Sequence, residues 1–139
     1  MYCQVYEKNT LCELRYVVVF SRYAGRWMLS RHRQRTTWET QGGHIEAGET
    51  PAEAAVRELY EESGVTDADI RYLFDYRAGD DNGYGDGAVF LADVHRLGTL
   101  PDSEMAEVRL FDTLPPAQML TYPGITPVLW DAFCARPTS

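Results

Sequence analysis

Three glutamates, Glu58, Glu61 and Glu62, stand at i, i+3 and i+4 within GHIEAGETPAEAAVRELYEESGV, residues 43–65. At about 100° per residue they share one side of a helix, where each like-charged pair costs a few tenths of a kcal/mol. Such a cluster calls for a cation. An all-oxygen donor set suits a hard ion, Mg²⁺ above all where phosphates complete the coordination shell. Any single glutamate is more often a solvated surface charge, and Arg57 serves that reading by pairing with Glu53 or Glu61. The preceding loop argues the other way. Gly42, Gly43 and Gly48, with Glu46 and Glu49 among them, lay a bendable backbone beside the acidic face. A backbone carbonyl there can reach a metal, and Glu49 can return to Arg57 or to the ion.

The helix that carries these acids is well signalled. Thr50 is an N-cap, Pro51 fits the first helical position and Glu53 completes a T-x-x-E capping box. Gly64 supplies the C-terminal stop. On the helical wheel Ala52, Ala55, Val56 and Leu59 fall together as the expected core side. Ala54 falls on the acidic side, where its small size leaves room above the carboxylates.

The same string resembles the Nudix box, G-x5-E-x7-R-E-U-x-E-E-x-G-U with U aliphatic. It matches at Gly43, Glu49, Arg57, Glu58, Leu59, Glu61, Glu62, Gly64 and Val65. Nine fixed positions at fixed spacing are far more specific than a lone glycine-rich loop. One residue departs from the family habit: Gln41 precedes the paired glycines where proline is frequent, which changes loop stiffness and not chemistry. The resemblance implies one Nudix hydrolase domain over residues 1–139, with its box at 43–65. The fold expected is an α/β sandwich, a mixed β-sheet between helices. It also implies Mg²⁺, with Mn²⁺ able to substitute, held by Glu58, Glu61, Glu62 and the Gly42 carbonyl. Glu49 then has an auxiliary metal role and Arg57 orients a loop glutamate. The catalytic base is left open among Glu58, Glu61 and a glutamate outside the box. Glu104 and Glu107 both qualify by position, as an extra base or metal ligand.

At 139 residues, with 45 % hydrophobic and 12 % aromatic content, the chain is long enough for one domain with a real core. No stretch approaches about 20 continuous apolar residues, and MYCQVYEKNT lacks a signal-peptide pattern. Cys3, Cys12 and Cys134 have no C-x-x-C spacing and read as reduced thiols of a cytoplasmic protein. The net charge of −8 argues against nucleic-acid and membrane partners. It does not argue against a polyphosphate substrate, since a bound divalent ion reverses the local field. A homodimer is an expectation by analogy with the fold alone.

Along the chain, strands are expected around Val5–Glu7, over Leu14–Ser21 and over Trp27–Arg31, with a hairpin turn at Tyr23–Arg26. The dense basic run Arg31-His32-Arg33-Gln34-Arg35 follows, then Trp38. Arginine forks match phosphate oxygens, so Arg33 and Arg35 are expected substrate contacts, with Trp38 beside them. Ile70–Tyr76 reads as a strand. Ala78–Gly87 reads as a glycine- and aspartate-rich loop, either a plain connection or a flap whose Tyr84 stacks on a base. Ala88–His95 and Val108–Phe111 read as strands, and Pro123 or Gly124 to Ala135 as a second helix with an apolar stripe.

The expected reaction is hydrolysis of a pyrophosphate linkage in a nucleoside diphosphate derivative. A nucleoside triphosphate, including an oxidised one such as 8-oxo-dGTP, would give the monophosphate and pyrophosphate. The wider sequence resembles, more loosely than the box, small MutT-like nucleoside triphosphate pyrophosphohydrolases. Dinucleoside polyphosphates, ADP-ribose and other nucleotide conjugates are the alternatives. Asp80, Asp81 and Asn82 stand where ADP-ribose hydrolases of the family often carry proline, which disfavours ADP-ribose. A non-catalytic Nudix-fold nucleotide sensor is the reading from another class.

Overall fold

The chain alternates strand-rich and helical segments, β1 (Tyr2–Glu7), β2 (Tyr16–Tyr23), β3 (Arg26–His32), β4 (Gln41–His44), α1 (Pro51–Ser63), β5 (Asp67–Asp80), β6 (Gly83–Arg96), β7 (Met105–Phe111) and α2 (Thr126–Cys134). A computed structural model describes residues 1–136. Six strands lie in the order β1-β5-β6-β2-β3-β7, and β4 pairs with β2. The β2–β6 pair is parallel and the other pairs are antiparallel, so the sheet is mixed.

Strand alternation explains why both faces are covered. In β2, Val17 and Val19 join Ala54, Ala55 and Leu59 of α1 in one core, while Phe20 joins Leu129 and Phe133 of α2 in the other. In β6, Phe90 and Ala92 serve the first core, and Val89 and Leu91 the second. The result is a sheet between two helices. Aromatic edges tighten the α2 side, where the Trp27 and Trp130 rings cross at 87° with centroids 4.8 Å apart.

Helix α1 has the expected ends. Thr50 and Glu53 exchange the two capping-box hydrogen bonds, and Gly64 closes the helix with φ of +82°. Its buried side differs from the wheel reading. Ala54, Ala55, Glu58 and Leu59 are buried, whereas Ala52 is exposed and Val56 is 56 % exposed. Glu58 and, in part, Glu62 are turned inward, while Glu61 stays exposed.

Residues 78–87 also differ from expectation. They form no loop: β5 and β6 run through them as a long hairpin closed by Asp81 and Asn82. Cross-strand pairs override the local turn propensity, and Asp86 is engaged by Arg77 at 2.7 and 3.0 Å.

Candidate active site

The acids and the cavity they serve lie on different sides of the sheet, and two glycines connect them. Glu58 and Glu62 rise from α1 beside β4. A Cβ on Gly43 would overlap the Glu58 carboxylate, and one on Gly42 would collide with the Val17 carbonyl. Bare backbone at these positions is what lets the carboxylates reach past the strand. The Gly42 N–H donates to Glu62 Oε1 at 2.9 Å. A buried relay fixes the Glu62 backbone from behind: Ser21 Oγ donates to Gln41 Oε1 at 2.6 Å, Gln41 Nε2 to Ser30 Oγ at 2.9 Å, and Ser30 Oγ to the Glu62 carbonyl at 2.7 Å. Gln41 is therefore a structural anchor. Its value is invisible in the sequence because both serines come from other strands.

Arg57 divides its guanidinium between two tasks. Nε and Nη2 grip Glu49 at 2.7 and 2.9 Å, and Nη2 also donates to the His44 carbonyl at 2.9 Å. Nη1 reaches Glu58 Oε1 at 2.9 Å and Glu61 Oε1 at 3.2 Å. The Arg57 fork, aided by the Glu46 N–H, holds the Glu49 carboxyl down at about 2. The opposite happens deeper in. Burial, with a hydrogen bond to Glu61, pushes Glu58 above the usual carboxylate range despite Arg57. Burial above all, with Glu58, Glu39 and Glu61 nearby, pushes Glu62 up to about 9 against the pull of the Gly42 N–H.

Two hollows meet at these acids. The main one lies on the α2 side, about 510 Å³, and its wall includes Tyr16, Arg35, Glu58, Glu62, Tyr76 and Thr126. The second, about 530 Å³, is an open groove with Glu46, Arg57, Glu61 and Asp102 on its walls. His44, Glu58, Glu62, Glu104 and Met105 line both. A volume near 500 Å³ is ordinary for a small-ligand site.

The expected site residues separate clearly. Glu58, Glu62, Gly42, Arg35 and Glu104 line the main cavity. Arg57 and Glu61 line the groove, and Glu49 is drawn to Arg57. Glu104 sits opposite His32 Nε2 at 3.5 Å, whereas Glu107 pairs with Arg31 at 3.4 Å and Arg109 at 3.6 Å, off the cavity. Arg33 is tied to Asp102 at 2.7 Å and does not line the main cavity. Trp38 does not line the main cavity: it is 4 % exposed and packs with Leu29 and Leu120, because the bridges Ser30↔Glu39 and Trp38↔Leu120 turn it inward. Tyr84 is 61 % exposed and lies under Arg77 at 4.2 Å, outside the main cavity. Tyr16, Tyr76 and Tyr122 line that cavity instead. Sequence reasoning missed them, because Gly85 and Gly87 clear space for Tyr16 and Tyr76 only once the strands have paired.

Among the described residues no three acidic, histidine or cysteine side chains converge into a ready cage for an ion. Arg57 Nη1 already occupies the approach between Glu58 and Glu61. The donor chemistry nevertheless fits a hard divalent cation. Crowded carboxylates with raised proton affinity are those a cation relieves, and Gly43 keeps open the space a Cβ would fill.

A profile of the NUDIX domain matches residues 14–128. The putative 8-oxo-dGTP diphosphatase YtkD of Bacillus subtilis is 32 % identical over 83 residues, covering 60 % of this chain and 52 % of that protein. An RNA pyrophosphohydrolase of Photobacterium profundum is 39 % identical over 56 residues, 40 % of this chain and 32 % of that one. The chain thus spans about half of the first relative and about a third of the second. Among solved structures, the Bacillus subtilis pyrophosphohydrolase BsRppH aligns with a TM-score of 0.76 at 25 % identity, over 95 % of this chain and 84 % of that one.

Proposed function

The chain belongs to the Nudix family, and on that premise we propose that it hydrolyses the pyrophosphate linkage of a nucleoside triphosphate, water adding and monophosphate and pyrophosphate leaving. The observation that carries this reading is the pair Glu58 and Glu62, opening through the Gly42–Gly43 backbone into a nucleotide-sized cavity with tyrosines on its wall.

Glu58, Glu61, Glu62 and the Gly42 carbonyl are the groups that would hold a Mg²⁺ or Mn²⁺ ion, which neutralises phosphate charge and acidifies a water. The remaining work falls to the chain itself, since phosphoryl transfer needs positioning and charge stabilisation more than covalent chemistry. Arg57 fixes the loop by holding Glu49 and the His44 carbonyl together. Its Nη1, which donates to Glu58 and Glu61, would have to give up both for these carboxylates to hold the ion. Arg35, paired with Glu39 at 3.3 Å, is the cavity's arginine fork for phosphate oxygens. Glu104 is the base assigned to orient and deprotonate the attacking water. His32 Nδ1 accepts the Gln34 N–H at 3.1 Å, which turns Nε2–H toward Glu104.

The name YtkD carries, a putative 8-oxo-dGTP diphosphatase, supports a nucleoside triphosphate, including an oxidised one. The RNA pyrophosphohydrolase relatives favour a second reading, attack at a 5′-triphosphate end of RNA. The net charge of −8 weighs against it. The test is a hydrolysis screen with Mg²⁺ over nucleoside triphosphates, 8-oxo-dGTP, 5′-triphosphorylated RNA, dinucleoside polyphosphates and ADP-ribose. Products are separated, with Glu58→Gln as the blank. Monophosphate and pyrophosphate from a free triphosphate are expected. Binding without turnover of any substrate would replace this reading with a nucleotide sensor.

A further inference from the structure

The walls of the main cavity divide by strand order. The residues contributed by β3, β4, β7 and the nearby loops include His32, Arg35, Glu39 and Glu104; those from β5, β6 and α2 include Tyr76, Ala78, Gly85, Ile125, Thr126 and Leu129, with no charged side chain among them. This uncharged side has been shaped. A Cβ on Gly87 would overlap the Tyr76 ring, and one on Gly85 the Tyr16 ring. The alternating glycines Gly85 and Gly87 of β6 therefore leave room for two phenol rings close against bare backbone. Tyr76 is 5 % exposed, yet among the described residues its hydroxyl has no hydrogen-bond partner and is not sealed from the cavity. Thr126, also 5 % exposed, lines the same cavity. No buried side-chain polar atom among the described residues lacks a partner, so the Tyr76 hydroxyl meets solvent at the cavity wall, a place that a polar atom of a ligand can take.

Resting on the proposed function above, we propose that Tyr76 and Thr126 are specificity-determining residues. Their hydroxyls hydrogen-bond the polar rim of a nucleobase that stacks on Tyr16. A flat, mostly apolar heterocycle with donors and acceptors at its edge matches an aromatic wall with two hydroxyls. A sugar, a second phosphate or a cationic head group does not. Burial keeps the Tyr76 phenol protonated, so it donates to a carbonyl or ring nitrogen of the base.

The test compares Tyr76→Phe and Thr126→Val, which keep shape and remove one hydroxyl each, with the intact protein. Measured are kcat and KM for the best triphosphate of the screen, inhibition by inorganic tripolyphosphate, and binding of the matching nucleoside monophosphate in EDTA. Loss of one such hydrogen bond raises KM and the monophosphate Kd about five- to tenfold. Inhibition by tripolyphosphate, which has no base, stays as it was, and the melting temperature of Tyr76→Phe does not fall. Unchanged nucleotide affinity in both variants overturns the proposal, as does an equal loss of tripolyphosphate affinity. If the intact protein turns over no nucleotide, the hydrolase reading fails. The monophosphate titration then decides the base pocket by itself.

Discussion

Replacing Glu62 by glutamine should make the metal-free protein more stable while making it a worse enzyme. The Glu62 carboxyl is pushed from 4.5 up to about 9, chiefly by burial. Between those values the folded state holds a proton that the unfolded chain has lost. Stability is therefore full below about pH 4.5 and falls as pH rises toward 9. At pH 7 the gap is about 2.5 pH units, or about 3 kcal/mol at 1.36 kcal/mol per unit. Discounting for the part of the side chain that remains wet leaves about 2 to 3 kcal/mol. Glutamine keeps an acceptor for the Gly42 N–H and carries no charge at any pH, so Glu62→Gln recovers that amount. For a chain of this size the melting temperature rises by about 6 to 10 °C. The assay is thermal and urea unfolding in EDTA at pH 5.5, 7 and 8.5. The difference between the two proteins isolates this residue from every other titrating group, and it should grow with pH. Added Mg²⁺ should stabilise the natural protein more at pH 8.5 than at 5.5, since the ion competes with a proton, and should stabilise the variant little. A difference that is flat or negative across this range would refute the account of Glu62.

Other perturbations follow from the same geometry. Gly43→Ala should displace Glu58 and cost both Mg²⁺ stabilisation and at least tenfold in kcat, seen by paired melting and kinetic measurements. Arg35→Ala should raise KM for a triphosphate several-fold, whereas Arg33→Ala, whose arginine is spent on Asp102, should leave it alone; steady-state kinetics separate them. Glu61→Gln should keep the melting temperature within a degree or two, because this carboxylate is half exposed, and remove most Mg²⁺-dependent hydrolysis.

The helix ends and the glycine pair are legible because capping and bare backbone are local chemistry written in neighbouring residues. The wheel fails on α1 for a physical reason. Glu58 is buried and Glu62 partly so, which makes polarity point away from the true inner side, and Val56, apolar as it is, faces water. Residues 78–87 mislead similarly. Their glycines read as turn residues, while in the fold they clear space for Tyr16 and Tyr76, a purpose that exists only after β5, β6 and β2 have paired. For Trp38 the neighbours along the chain suggest a place at the site, but a bridge to Leu120, 82 positions away, decides its direction. Glu104 and Glu107 are indistinguishable in sequence. They part because Glu104 precedes β7 and Glu107 lies within it, paired to Arg31.

The sheet also partitions the protein's evolutionary freedom. The charge-handling groups arrive from α1 through a gap two glycines wide, while the surfaces that would tell one ligand from another belong to β5, β6 and α2. Substitutions on that far side can retune choice of ligand without disturbing the acids. A side chain at Gly43 would close the passage for every ligand alike.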